Sequence, residues 1–545
     1  MLRKPSRSLR KPPARNGTTF GLLTQRVLAG GIATILATQT FVAPARADPV
    51  TLTTRDGTYS IVGDLVEITD DAFTIRSSVG SMTVARDTVT CDGDGCPAGT
   101  APAPQTTIAG DRALGVDLIP TLLSRFAAST RAKATVLKTI DNGLLVEVSG
   151  GDLPQTAAIK IVPSTSSDGI AALLDGTAEL ALSDRRALTR EVRAAQNLGL
   201  GDLRSETQEQ IVALDGLLFI THPRNPVRSL TTADAAAIYA GKITNWSQVG
   251  GSDLPITLYA STPDLGSADV LDALVMRPAD LSVSTGATVL GSDRVVAETV
   301  AADPAAIGYT RIGNEGPARP LAIRGSCNIQ TQPTPFTVKT EEYPLTRQLY
   351  IYRSKTPLSP IGDAFSRFLA SDAAQTDVAS AGFIDQSIAS ATLDQQGMRI
   401  ASAMMVETDP AQQQELRGMM DMLLAAERLS ATFRYETGTD LLNARALADL
   451  DRLAALLSTD AYKGKEVLFL GFTDTVGDAA LNRDLSLKRA EQIIATLLAE
   501  YPEVADNVRL TAVGLGEISS LACNDTDPGR AINRRVETWV RDFAR

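Results

Sequence analysis

The 545-residue chain predicts a multidomain α/β protein with a small N-terminal β-barrel or roll, a two-lobed α/β domain and a C-terminal α/β sandwich. Three observations predict it. Residues 48–97 alternate in short β runs, residues 107–392 repeat a strand-then-helix pattern, and residues 431–545 close with a compact strand and helix series.

The first 47 residues stand apart. They hold eight basic and no acidic residues, and Arg26 precedes an apolar run, Val27 to Val42, that ends in Pro44-Ala45-Arg46-Ala47. A basic flank, an apolar core and small residues two apart read as a secretory signal peptide cleaved before Asp48. Later residues contain no run of the roughly eighteen apolar residues that a membrane helix needs. Without this leader 44 basic residues face 63 acidic ones, a net charge near −19. Such a surface repels nucleic acid, although a small anion could still sit in a local pocket.

In an exported chain the four cysteines suggest disulfides. Cys91 and Cys96 enclose Asp-Gly-Asp-Gly, a turn that brings them together. Cys327 and Cys523 fall in different predicted domains, and either a bond locking those domains or two buried thiols fits. A single His and no paired C-x-x-C exclude an ordinary zinc site, and no cofactor is expected.

In the β unit, Thr51-Leu52-Thr53, Tyr59 to Val62, Leu65 to Ile68, Phe73-Thr74-Ile75 and Met82-Thr83-Val84 are strands, with Asp56-Gly57, Gly63-Asp64, Asp70-Asp71 and Gly80 as turns. Residues 98–106 are a linker rich in Ala and Pro. Gly115 to Ala128 then reads as a helix, Ala158 to Val162 and Ala178 to Leu182 as strands, and Ile170 to Leu174 as the start of another helix. This implies a mostly parallel sheet covered by helices, in two lobes. Residues 393–430 are a helical connector. Strands are expected at Ala431 to Tyr435, Glu466 to Phe472, Val508 to Val513 and Arg535 to Val540. Helices are expected at Ala444 to Leu457 and Asn482 to Leu498.

Asp474 follows an apolar strand, so its carboxylate projects into the loop layer. Asn482, Ser486 and Arg489 recur at i, i+4, i+7 and share one helix face. An acid and a guanidinium so placed suit a ligand with an ammonium and a carboxylate on one carbon. By spacing alone, the pair reads first as a structural salt bridge between strand end and helix. The stretch Gly471-Phe472-Thr473-Asp474, Gly477, Asn482, Leu485-Ser486 and Arg489-Ala490 resembles the OmpA-like peptidoglycan-binding domain. The likeness continues through Gly514-Leu515-Gly516-Glu517, Asn524, Gly529-Arg530 and Asn533-Arg534-Arg535-Val536. It implies that Asp474 and Arg489 hold diaminopimelate, with Thr473, Asn482 and Arg534 in support. Phe472 departs from the His of many relatives.

In the middle domain Ile238-Tyr239-Ala240-Gly241-Lys242-Ile243-Thr244-Asn245-Trp246 is by itself a helix ended by Gly241 and a turn. With Leu214-Asp215-Gly216, His222-Pro223, Asn225-Pro226, Ile307-Gly308-Tyr309 and Tyr343-Pro344-Leu345-Thr346-Arg347 it resembles phosphate-type periplasmic substrate-binding proteins. The resemblance implies a hinged cleft and a candidate anion or solute site at Ser166, Ser183, Asp184, Arg185, Gly266 and Ser267, where helix starts supply N–H donors. Two loops depart from the family pattern. Asp111 and Ala113 replace hydroxyl residues, and in the fourth loop an arginine is missing and Leu265 stands for a serine. Arg112 or Arg185 would have to compensate. His222 reads as structural. Asp111, Asp168 and Asp184 are the only acid–base candidates, and no nucleophile–base set is present.

The expected protein is therefore a non-enzymatic periplasmic one that binds peptidoglycan and carries a solute-binding-like module. Two alternatives for the middle domain are phosphate delivery to an ABC permease and a structural role with an envelope protein partner.

Overall fold

A computed structural model describes residues 49–54, 59–69, 72–77, 80–86, 88–93, 96, 106–140, 143–153, 156–263, 266–407, 409–435, 442 and 444–543. The expected signal peptide and nearly all of the 98–106 linker lie outside them. The chain divides into two compact units, Met1–Gly99 and Thr100–Arg545.

The first unit is an antiparallel five-stranded sheet. Its order is Gly80–Ala85, Ala72–Ser77, Ser60–Ile68, Pro49–Thr54, Val89–Asp92. Among the described residues Gly80–Ala85 and Val89–Asp92 are the edges, and no pairing between them closes the expected barrel. Gly63-Asp64 is not a turn but the middle of one long strand. A side chain at Gly63 would place its Cβ 2.4 Å from the Arg76 carbonyl oxygen, so glycine serves close strand approach here. Val50, Leu52, Phe73, Ile75 and Val89 form a small core, and Cys91 is bonded to Cys96.

In the second unit an eleven-stranded sheet runs through both lobes. Lobe one contains Thr106–Asp111, Ala157–Ser164 and Leu180–Ser183, with the hairpin Lys133–Ile140 and Gly143–Ser149 at its edge. Lobe two contains Thr257–Ser261, Thr288–Leu290 and Ala306–Arg311. The expected mostly parallel sheet is instead mixed. Glu209–Thr221 and Thr346–Arg353 run antiparallel and cross from lobe to lobe, and the edge hairpin adds more antiparallel pairs. Thirteen-residue Glu209–Thr221 carries two apolar runs, Ile211–Leu214 and Leu217–Ile220, broken by Asp215-Gly216, and it is buried from Val212 onward because both of its faces are covered. Each lobe has its own core: Ile108, Leu122 and Phe126 in one, Phe219, Tyr239 and Tyr309 in the other.

The C-terminal sheet has the order Ser390–Thr392, Ala426–Phe433, Arg535–Asp542, Lys465–Phe472, Arg509–Gly514. Helices Ala444–Leu457 and Ala479–Glu500 cover one face. The segment expected as a helical connector covers the other: Leu416, Met419 and Leu423 of helix Pro410–Leu423 pack on Leu468, Leu470, Phe472 and Trp539. That apolar sheet face needs a second layer. The first long strand of this sheet begins at Ala426, inside the expected connector.

The two modules of this unit are bolted together. Cys327 is bonded to Cys523. Fully buried Arg428 pairs with Glu342 across the seam and with Glu537 at 3.3 Å in its own module. Arg445 reaches Glu341 at 2.9 Å, and Ser326 donates to Asp525 at 2.7 Å. Among the described residues no helix is long and apolar enough to cross a membrane.

Candidate functional site

Strand Lys465–Phe472 delivers Thr473 and Asp474 to the loop layer, and helix Ala479–Glu500 lies across it. Two glycines set how closely the helix approaches. A Cβ on Gly471 would lie 2.0 Å from the Ser486 carbonyl oxygen, and one on Gly514 would lie 2.6 Å from that of Arg483. Gly471 and Gly514 are register partners on adjacent strands, so they form one flat patch. Asn482 and Ser486 face inward and are buried. Asn482 braces the loop, with Nδ2 donating to the Asp474 carbonyl at 3.3 Å and to Glu517 Oε2 at 3.0 Å.

Asp474 is nearly buried. One carboxylate oxygen accepts from the Val476 amide at 3.1 Å and the other pairs with Arg534 at 2.7 Å. Arg534, expected to play a supporting part, is thus the direct partner of Asp474. Arg489 is not bonded to Asp474. Its guanidinium lies 5.1 Å from the Tyr435 ring centroid, and the Tyr435 hydroxyl donates to the Arg489 carbonyl at 2.9 Å. The simple salt bridge between Asp474 and Arg489 is therefore not formed. The Thr473 hydroxyl is buried with no hydrogen-bond partner among the described residues, which costs about 1–3 kcal/mol if nothing satisfies it.

The middle cleft differs from the expected anion site. Ser183 Oγ donates to the Arg185 carbonyl at 2.6 Å. Ser166 Oγ donates to Asp184. Ser267 Oγ and Ser261 Oγ donate to Asp293 at 2.6 and 3.0 Å. Arg185 pairs with Glu191 at 2.8 Å and donates to Ser167 at 2.9 Å. Arg112 is exposed. Its charge acts on Asp269 in the fourth-loop helix, opposing the rise of that group's pKa. Arg347 also lies beside the fourth loop, with Nη2 3.6 Å from where a Gly266 Cβ would stand.

Arg347 is buried and already neutralised. It pairs with Asp184 at 3.0 Å and with its register partner Asp215 at 3.1 Å. Burial opposes its charge, but Asp215, Asp111 and Asp184 outweigh that and raise its pKa. Asp111 accepts from the Leu114 amide at 3.0 Å. Burial drives its pKa up to about 6, with Arg347 opposing and Asp184 adding to the rise. Asp269 is also pushed up, first by burial. Across the cleft Arg311 of lobe two pairs with Asp117 of lobe one at 3.0 Å. Arg347 and Asp215 both lie in segments singled out in the sequence, but only the strand crossing reveals them as a pair. His222 Nδ1 accepts the Arg224 amide at 3.1 Å, a structural turn contact. Among the described residues no His, Cys, Asp and Glu cluster suits a metal.

The class these elements define is a two-lobed binding-protein-like α/β fold joined to a C-terminal α/β sandwich. Residues 125–373 match the PBP superfamily domain, and residues 434–534 match the OmpA family. The middle region is 26% identical over 224 residues to "Phosphate-binding protein PstS" of Borreliella burgdorferi, covering 40% of this chain and 76% of that one. The C-terminal region is 34% identical over 113 residues to "Outer membrane porin F" of Pseudomonas fluorescens, covering 21% of this chain and 33% of that one. It is 39% identical over 91 residues to "Peptidoglycan-binding protein ArfA" of Mycobacterium bovis, covering 17% of this chain and 26% of that one. The chain thus spans about a third or less of these last two relatives. It carries a phosphate-binding-protein-like domain and a C-terminal OmpA domain.

Proposed function

We propose that this is a non-enzymatic periplasmic protein, exported by its leader, that grips peptidoglycan without a covalent bond. Asp474 accepts from the ammonium of a diaminopimelate side chain, and Arg489 holds the carboxylate on the same carbon. Thr473 supplies its hydroxyl, Arg534 shares the Asp474 carboxylate, and Asn482 fixes the loop. One observation carries this reading. Asp474 pairs with Arg534 and not with Arg489, and the adjacent Thr473 hydroxyl is buried without a partner among the described residues.

Calorimetry with a stem peptide ending in meso-diaminopimelate tests it. The account expects saturable binding to the full chain, weakened about 10- to 100-fold when lysine replaces diaminopimelate and one charged contact of about 1.5–3 kcal/mol is lost. Equal binding of both peptides would contradict it.

The middle domain is read as a solute-binding-like module that does not hold phosphate as its fold relatives' names suggest. Its family serine hydroxyls donate to protein acceptors, and buried Arg347 is flanked by Asp111, Asp184 and Asp215. A dianion entering there meets a surplus of carboxylates. Delivery of phosphate to a permease is therefore the weaker alternative.

A further inference from the structure

At the seam of the two modules lies a pocket of about 360 Å³, within the roughly 300–1,000 Å³ range of small-ligand sites. Lobe two contributes the segment from Ile329 to Thr337, the chain between the modules contributes Ser390 to Arg399, and the C-terminal domain contributes Ser520 and Leu521. Neither module builds this pocket alone.

Its chemistry is specific. The charged groups on its wall are committed: Glu342 to Arg428, and Arg399 to Glu537 at 2.6 Å. The Gln330, Thr331, Gln332 and Ser390 side chains line the pocket and make no protein hydrogen bond among the described residues. Arg399 Nε is a buried donor without an acceptor among the described residues. Between these polar groups lie the Phe336 ring, Ile329, Ala391 and Leu521. Carboxamides both donate and accept, so they match sugar hydroxyls and an acetamido group, while apolar carbon and an aromatic edge suit a methyl and a sugar face. A free charge that would select a zwitterion or an ionic peptide end is missing from this set.

The pocket also adjoins the peptidoglycan site through one loop. The Leu521 amide donates to Asn533 Oδ1 at 2.8 Å. Asn533 immediately precedes Arg534, the partner of Asp474. The Cys327–Cys523 bond fastens this loop to lobe two.

We propose that the seam pocket takes an N-acetylated sugar of the wall glycan, a second contact that only the fused protein can make. The inference rests on the peptidoglycan reading of the neighbouring site but uses different atoms.

The test is a titration of the full-length protein with N,N′-diacetylchitobiose, with cellobiose as the sugar lacking acetamido groups. The expected result is saturable binding of the first, at least tenfold weaker binding of the second, and wild-type affinity in Asp474→Ala. Gln332 is exposed and its side chain makes no bond among the described residues, so Gln332→Trp fills the pocket while circular dichroism and melting stay unchanged. It should weaken chitobiose binding at least tenfold and leave stem-peptide binding intact. No saturable binding of chitobiose by the wild type, equal binding of cellobiose, or unchanged binding in Gln332→Trp would overturn the inference. If chitobiose fails while the diaminopimelate peptide binds, only this proposal falls. If the peptide fails, the reading of the Asp474 site falls.

Discussion

At the residue scale, the cleft illustrates how one substituted loop position changes the chemistry around it. Asp111 stands where a hydroxyl residue was expected, and burial lifts its pKa from 3.8 to about 6. The folded state therefore holds this proton more tightly than the unfolded chain does. Its contribution to stability is fullest below pH 4 and falls as pH rises through about 6. Asp111→Asn keeps an oxygen for the Leu114 amide and removes the buried charge. Urea denaturation should show it more stable than wild type at pH 7.5, by at most about 3 kcal/mol at 1.36 kcal/mol per pKa unit. The gain should vanish below pH 4. Inorganic phosphate at pH 7.5 should give no saturable calorimetric heat at micromolar concentrations. The replacement at Asp111 was legible from the loop pattern. The role of Arg347 was not, because its pairing with Asp215 depends on two strands that are 132 residues apart in sequence crossing in register.

At the element scale, periodicity found the elements that carry the site. Helix Ala444–Leu457 appears at the expected bounds, and strand Lys465–Phe472 begins one residue early. Helix Ala479–Glu500 begins three residues before the expected Asn482 because Asp478 caps it, its carboxylate accepting from the Ala480 and Leu481 amides. Patterns whose meaning depends on a partner element were not legible. The apolar residues of Pro410–Leu423 look like a connector until the sheet face they cover is known. Gly63-Asp64 looks like a turn until the neighbouring strand presses against it. Gly471 makes this dependence testable. Gly471→Ala puts a methyl group against the backbone of Ser486, which cannot swing away as a side chain would. A loss of about 1–3 kcal/mol is expected from such overpacking. Sacculus binding should fall with it, since the helix that carries Arg489 is displaced. Thermal melting and pull-down together check both effects.

At the scale of the whole molecule, the C-terminal domain and the binding-protein fold behave as one body. A disulfide across 196 residues, the buried Arg428–Glu342 pair and the Arg445–Glu341 pair all cross the seam. Sequence left open whether Cys327 and Cys523 pair, because nothing local records which surfaces of two modules meet. Replacing both with Ser should lower stability by about 2–4 kcal/mol in calorimetric melting, as expected for opening a long covalent loop. The central claim concerns what this body is fastened to. Co-sedimentation of the full-length protein with purified diaminopimelate-type sacculi tests it most directly. The account predicts that wild type pellets with the wall, while Asp474→Ala and Arg489→Ala, folded by circular dichroism, stay in the supernatant. Both variants pelleting like wild type would contradict it.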